Sequence, residues 1–144
     1  YRMSNICAGI GRGQMEVLDD HVALRRKRHD YYTLLFKDIP GITVYTVPNN
    51  DYFANYWLST ILIDPIETNG ITRETLRLAF ETENIESRPL WKPMHMQKLF
   101  ENSKSILNGV SEELFSKGLC LASSTTMTKD DVKMICEVIK KNLA

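Results

Sequence analysis

The sequence has no excess of charge of either sign, since 18 lysines and arginines are balanced by 18 aspartates and glutamates. A neutral chain has no overall field that would gather nucleic acid or an anionic membrane surface. Long apolar runs are also missing, because the longest uncharged stretches, residues 39–50 and 52–63, have 12 residues each. A helix that spans a bilayer needs roughly 20 apolar residues. We therefore expect neither nucleic acid nor a membrane as a partner.

Cysteine is scarce, and Cys7, Cys120 and Cys136 form no CxxC pair. The sequence thus lacks a disulfide framework, which favours a reducing, cytoplasmic location. Its first residues do not have the basic-then-apolar order of a secretory signal peptide. The three histidines stand at no spacing typical of zinc ligands, and no serine occupies a nucleophile elbow. We expect no metal site and no covalent hydrolysis.

Apolar periodicity predicts the elements in the first half of the chain. With 43% apolar residues among 144, the chain can bury one core. Residues 3–35 follow the 3.6-residue period of a helix, and the glycines of its GIGRG segment predict a bend near them. Two strands are predicted at residues 42–47 and 56–63. The turn sequence PNND between them predicts antiparallel pairing.

The second half predicts helices alternating with short strands. Capping residues predict helices that begin at Thr72, Ser111 and Thr128. A short strand is predicted at residues 85–91, and residues 119–121 form either a strand or a buried loop. The resulting order α-β-β-α-β-α-α is typical of an α+β domain, in which helices cover one face of a small antiparallel sheet.

Two conspicuous motifs are interpreted as structural. The glycines at residues 9–13 have neither the spacing nor the preceding strand of a dinucleotide-binding loop, so we interpret them as allowing close packing of a helix. The basic run RRKRH at residues 25–29 has aspartates nearby at helical spacing. We interpret this run as a solvated helix face.

The segment RPLWKPMHMQ at residues 88–97 concentrates side chains that carry chemistry. Arg88 and Lys92 suit a phosphate or carboxylate, Trp91 suits stacking on a ring, and His95 can form a hydrogen bond. These residues predict a loop that binds an anionic ligand with a ring. A second interpretation stays open, in which Trp91 fills the core and its charged neighbours face solvent.

Several segments together resemble a known family. The first, YRMSNICAGIGRGQM, resembles the NYRM…AAIG…QL helix of the DegT/DnrJ/EryC1/StrS sugar aminotransferases. Residues 85–97, with Phe100, resemble that family's GI…RP…P.H.Q..F segment. The segment from residue 111 to the last helix is similar to its closing A..L…GL.LPS……D…I pattern, with Ala122 where the family often has proline.

The resemblance implies the C-terminal small domain of a type I transferase dependent on pyridoxal phosphate (PLP). Residues 1–36 would form a connecting helix and residues 37–144 the α+β small domain. The large domain, with the Schiff-base lysine, would lie upstream. A homodimer of the parent enzyme would use PLP to transfer an amino group, typically from glutamate, to a nucleotide-linked keto sugar. Its products would serve cell-surface polysaccharide or deoxyamino-sugar biosynthesis, and the fragment alone would be inactive.

The resemblance also implies roles for particular residues. Tyr1 and Arg2 match the family's Tyr-Arg pair and would lie on the cofactor-binding side of the neighbouring subunit's active site. His95 matches the histidine of the family's substrate loop. The expected substrate-binding residues are Arg88, Trp91, Lys92 and His95. No catalytic residue is expected in this chain.

Two alternatives remain open at this stage. One is a PLP-dependent sugar dehydratase of the same family, in which another residue replaces the lysine. The other is a non-catalytic module that binds sugar nucleotides. The apolar stripe of Met3, Ile6 and Ile10 argues against a free-standing module, because it predicts a surface with a missing partner.

Overall fold

A computed structural model describes residues 2–143 and contains, within them, five helices and four strands. Two 3₁₀ turns, Met94–Met96 and Lys98–Phe100, follow the third strand. The helices are α1 (Asn5–Glu16), α2 (Leu18–Phe36), α3 (Arg73–Thr82), α4 (Val110–Lys117) and α5 (Lys129–Leu143). The strands are β1 (Ile42–Val44), β2 (Ser59–Ile63), β3 (Arg88–Pro89) and β4 (Gly118–Leu121). The predicted α+β class is confirmed.

The four strands form one antiparallel sheet in the order β1-β2-β4-β3. The predicted pairing of β1 with β2 is confirmed, with Ile42 opposite Ile63. The segment that the sequence left open as strand or buried loop is β4, an inner strand whose four residues are all buried. The strand predicted at residues 85–91 is much shorter, because only Arg88 and Pro89 pair with β4.

Helices α2, α3 and α5 contribute to one apolar core with alternate residues of the sheet. Ile61 and Ile63 of β2 face this core, as the burial pattern of that strand requires. Tyr32 of α2 is fully buried, and its hydroxyl donates a hydrogen bond to the carbonyl of Ala122 at 2.9 Å. Among the described helices, none combines the length and apolar character that crossing a membrane requires.

Two of the three predicted helix caps are present, at Thr72 and Thr128. The cap predicted at Ser111 is wrong, because α4 begins at Val110 and Gly109, with φ 81°, precedes it without a side-chain cap. Thr72 and Thr75 satisfy each other's backbone N–H groups at the start of α3, which is a capping box. Asn84, after the end of α3, takes a left-handed conformation with φ 56°. At α5, the Thr128 hydroxyl accepts from the N–H of Asp131 while the Asp131 carboxylate accepts from the N–H of Thr128.

The bend predicted near the glycines lies elsewhere. The glycines lie within a regular α1, with open space where a side chain would project. The helical segment breaks at Val17 instead, beyond the glycines. Two aspartates in the first turn of α2 favour a new helix N-terminus there, because they complement the helix dipole. None of the residues of α1 is buried.

The interpretation of the basic run as a solvated face is wrong for all but one of its residues. Lys27 is exposed, whereas Arg26 and Arg28 turn their guanidinium groups onto backbone carbonyls. Arg26 donates to Ala54 at 2.5 Å, and Arg28 donates to Thr125 at 2.7 Å. The run therefore holds two loops against α2.

His29, the last residue of the run, is 2% exposed and stacks on Tyr56. The two ring centroids are 3.5 Å apart and the planes differ by 6°. Neither ring nitrogen of His29 has a hydrogen-bond partner among the described residues. Burial lowers the pKa of His29, and nearby Arg26 lowers it further, while Asp30 opposes them.

The stability of this chain should depend on pH through His29. As pH falls below the ordinary histidine value of 6.5, the unfolded chain binds the proton before the folded one. The free energy of unfolding should then fall with a slope of up to about 1.4 kcal/mol per pH unit. Replacing His29→Phe keeps a stacked ring and should flatten this part of the profile. Urea unfolding from about pH 7 to pH 5 measures both slopes, and equal slopes would refute the assignment.

Candidate functional site

A cleft of about 610 Å³ opens beside the β3 edge of the sheet. Three chain segments line it, namely residues 57–58, residues 86–89 with Trp91, and residues 120–124, together with Arg25 from α2. The middle segment contains β3 and the start of the predicted binding loop. A concave site with apolar walls and a few charged groups is the usual form of a small-molecule pocket.

Two tryptophans stand at the cleft on different segments. Trp57 precedes β2 and Trp91 follows β3, and their ring centroids are 6.3 Å apart with a tilt of 41°. They are 60% and 68% exposed. Trp91 therefore does not fill the core, which decides between the two interpretations of its loop in favour of an exposed ring.

Arg25 connects two walls of the cleft. Its Nη1 donates to the carbonyl of Trp57 at 2.6 Å and to the carbonyl of Ser123 at 2.8 Å. Ser123, which is 6% exposed, extends this connection, because its hydroxyl accepts from the N–H of Ser59 at 2.8 Å. Hydrogen bonds with a charged donor are stronger than neutral ones. The positions of the two walls are thus coupled through α2.

Arg88 lies on β3 opposite Cys120 and lines the cleft. Its guanidinium group pairs with Glu86, and the shortest of its contacts, Nη2 to Oε1, is 2.6 Å. The two side chains are 78% and 73% exposed, so this pair contributes little to stability. Arg88 can therefore exchange this carboxylate for another anion at small cost.

His95 and Lys92 lie outside the lining of the cleft. His95 Nε2 is 3.0 Å from Glu112 Oε1 in the first turn of α4. The pKa of Glu112 is below its ordinary value, chiefly because its backbone N–H and the Ser111 hydroxyl donate to the carboxylate, with His95 adding to the effect. Lys92 is exposed, and its carbonyl accepts from Gln97 at 3.0 Å. The His95–Glu112 contact joins the loop to α4, whereas the Gln97–Lys92 bond lies within the loop.

A close backbone approach fixes where the loop leaves the sheet. A methyl group added at Gly118 would overlap the side chain of Leu90 and stand 2.6 Å from the carbonyl oxygen of Leu114. Only glycine leaves room for Leu90 at this position. The residue that follows Leu90 is Trp91, so this contact positions the tryptophan at the cleft.

Of the two residues assigned to the cofactor side, only Arg2 can be placed, and it is not among the residues that line the cleft. Tyr1 lies outside the described residues. Arg2 is exposed and precedes Ser4, which caps the N-terminus of α1. The structure therefore separates Arg2 from the group formed by Arg88 and Trp91.

Sequence reasoning missed three residues of the cleft. Trp57 and Cys120 were interpreted only as parts of apolar segments, and Arg25 as a solvated charge. Cys120 is 5% exposed, and burial raises the pKa of its thiol, with an opposing contribution from Thr60. The one available signal was the tryptophan beside a strand. That signal does not distinguish a side chain that lines a binding site from one that is buried in the core.

Within residues 2–143, the cleft has no lysine among its lining residues, and no three potential metal ligands come together. The cleft therefore does not supply a Schiff-base group for PLP. Arg88 and the two tryptophan rings suit an anion attached to a flat ring.

The sequence profile of the DegT/DnrJ/EryC1/StrS aminotransferase family matches residues 1–140. The chain belongs to this family. One relative, from Bacillus subtilis (strain 168) and named as a pyridoxal phosphate-dependent aminotransferase, EpsN, is 38% identical over 96% of this chain and 36% of its own length. GDP-perosamine synthase of Escherichia coli O157:H7 is 33% identical over 98% of this chain and 36% of its own length. The chain thus spans little more than a third of these relatives.

Solved structures of other proteins share the fold. DesI, crystallised in the presence of its TDP-sugar product, superposes with a TM-score of 0.89 at 20% identity, over 98% of this chain and 36% of its own. The E. coli GDP-4-keto-6-deoxy-D-mannose-3-dehydratase with bound hydrated PLP superposes with a TM-score of 0.68 at 21% identity. The match covers 90% of this chain and 33% of the dehydratase chain. Both likenesses are below 25% identity and therefore show a shared fold.

Replacing Arg25→Met should lower the stability of this chain of the DegT/DnrJ/EryC1/StrS family. The variant leaves two carbonyls without their charged donor, so we expect the free energy of unfolding to fall by about 2 kcal/mol. The exposed neighbour Lys27 provides the matched control, and Lys27→Met should change stability by less than about 0.5 kcal/mol. Urea denaturation of the three chains measures the difference. Equal stability of the two variants would refute the role of Arg25.

Proposed function

We propose that this chain is the C-terminal part of a PLP-dependent aminotransferase that acts on a nucleotide-linked keto sugar. The amino donor would be glutamate, and the enzyme would work as a cytoplasmic homodimer in polysaccharide or deoxyamino-sugar biosynthesis. Residues 1–36 would connect to a large upstream domain, and residues 37–144 would form the small domain. The identity of 38% over nearly the whole chain to a protein named as an aminotransferase carries this proposal.

In this proposal the chain binds and orients the nucleotide end of the substrate. Arg88 would leave Glu86 and pair with a phosphate of the nucleotide, a geometry for which a guanidinium group is suited. Trp91 would contact a ring of the substrate. His95, held by Glu112 at 3.0 Å, would donate or accept one hydrogen bond from its loop, with Lys92 adding positive charge. Arg2 would face the neighbouring subunit's site.

The reacting end of the substrate would lie outside this chain. PLP, when bound, supplies the electron sink for amino transfer. Because no lysine lines the described cleft, the lysine and the rest of the cofactor site would belong to the upstream domain. The roles left to the residues described above are binding, orientation and exclusion of water.

A second candidate function is sugar dehydration by the same kind of fold. Its support is the likeness to the E. coli dehydratase, which is at a lower TM-score than the likeness to DesI. Both likenesses are below 25% identity and reflect the fold alone. The names of the more similar relatives favour the aminotransferase.

Reduction with borohydride should distinguish these candidates in the full-length protein. If the protein is an aminotransferase, reduction followed by digestion and mass spectrometry should give a pyridoxyl-lysine upstream of Tyr1, because reduction traps the lysine–cofactor bond. A sample digested without reduction is the control. Bound PLP without a lysine adduct would favour the dehydratase, and absence of PLP would contradict both.

A further inference from the structure

The two tryptophans form a corner with a definite shape. Their centroids are 6.3 Å apart and their planes are tilted by 41°. The stacked rings of His29 and Tyr56 in the same molecule are 3.5 Å apart. To sandwich a third ring, the two tryptophans would need parallel planes and a centroid separation of twice the stacked distance. The corner instead fits one flat ring that stacks on one tryptophan and meets the other with its edge, which is a favourable aromatic geometry.

Trp57 is held by contacts that do not involve its ring. Arg25 binds its carbonyl, and the Asn55 side chain accepts from its N–H at 3.0 Å. Tyr56, the preceding residue, is fixed by its stack on His29 and has φ 46°. The backbone is thus positioned from both sides while the ring remains 60% exposed. On a fixed backbone the ring has only its side-chain rotation left to lose, so binding a ligand to it costs less entropy than ordering a flexible loop.

The charges around this corner indicate which chemical group is attached to the flat ring of the ligand. Arg88 lies on the strand that leads to Trp91, lines the same cleft and is 78% exposed. Its present partner Glu86 is almost equally exposed, so the pair is easily broken. A flat ring at the corner with an anionic group reaching Arg88 is the chemistry of a nucleoside diphosphate.

We propose that Trp57 stacks on the nucleobase of the sugar nucleotide, an inference that rests on the proposed function. The base occupies the corner between Trp57 and Trp91, and the diphosphate extends toward Arg88. Trp57 is then a binding residue for the nucleotide, and Arg25 is the positioning residue that fixes it. Stacking on an aromatic side chain tolerates different bases, because every base has a flat face.

The test is isothermal titration of the full-length holoenzyme with UDP, GDP and TDP in turn, and with pyrophosphate. Trp57→Ala should weaken binding of the preferred nucleoside diphosphate roughly ten-fold, because one stacked base contributes on that order. Trp57→Phe should restore most of the affinity. Binding of pyrophosphate, which has no base, should be the same in all three proteins.

A matched control is Tyr52→Ala. Tyr52 is in the loop that precedes β2, is 60% exposed like Trp57, and does not line the cleft. This variant should bind nucleotide like the parent. Unchanged nucleotide binding in Trp57→Ala would overturn the inference, as would a loss that affects pyrophosphate equally or that Tyr52→Ala shares. Failure of the parent to bind any of the three nucleotides would also overturn it.

A separate readout distinguishes failure of the inference from failure of the proposed function. Glutamate alone should convert the absorbance of the bound cofactor to that of its aminated form, in the parent and in Trp57→Ala, because this half of the reaction needs no nucleotide. Conversion in both proteins together with equal nucleotide affinity would overturn only the role of Trp57. No conversion in the parent would count against the aminotransferase itself.

Discussion

The geometry of the cleft depends on the arginines of one helix. Arg25 binds the carbonyls of Trp57 and Ser123, and Arg28 binds those of Thr125 and Met127. The acceptors belong to two loops that are distant in sequence and have no strand to order them. Charged donors from α2 satisfy these carbonyls, and the bonds to Ser123, Thr125 and Met127 are partly buried, where an unpaired carbonyl would be costly. Positions on α2 therefore determine where the cleft walls stand, although most of the cleft's lining comes from other elements.

Much of the fold could be predicted from local signals in the sequence. The capping box at Thr72 and the cap at Thr128 use side chains whose partners lie within one helical turn, so their spacing is visible in the sequence. The strand pair β1–β2 follows from apolar, β-branched runs separated by a turn. Strand β4 was ambiguous because an inner strand that is buried throughout shows no alternation.

The site was less predictable because its decisive contacts are long-range. The run at residues 25–29 has the composition of a solvated helix face, and nothing local shows that carbonyls of two loops approach it. The side chain of Trp57 could equally have belonged to the core. Conversely, His95 was recognised from its motif, yet its side chain contacts Glu112 of α4 and does not line the cleft. Motifs thus identified the loop, while tertiary hydrogen bonds determined which of its residues face the cleft.

The central proposal is that three segments, two of them joined through Arg25, form the nucleotide end of a sugar aminotransferase site. Hydrogen–deuterium exchange of the full-length holoenzyme, with and without saturating UDP, GDP or TDP, tests it most directly, because bound ligand slows the opening of the backbone it contacts. We expect protection by at least one nucleotide at residues 57–59, 88–92 and 121–124 together, with no change in α5. Protection confined to other parts of the protein, with these three segments unchanged, would contradict the account.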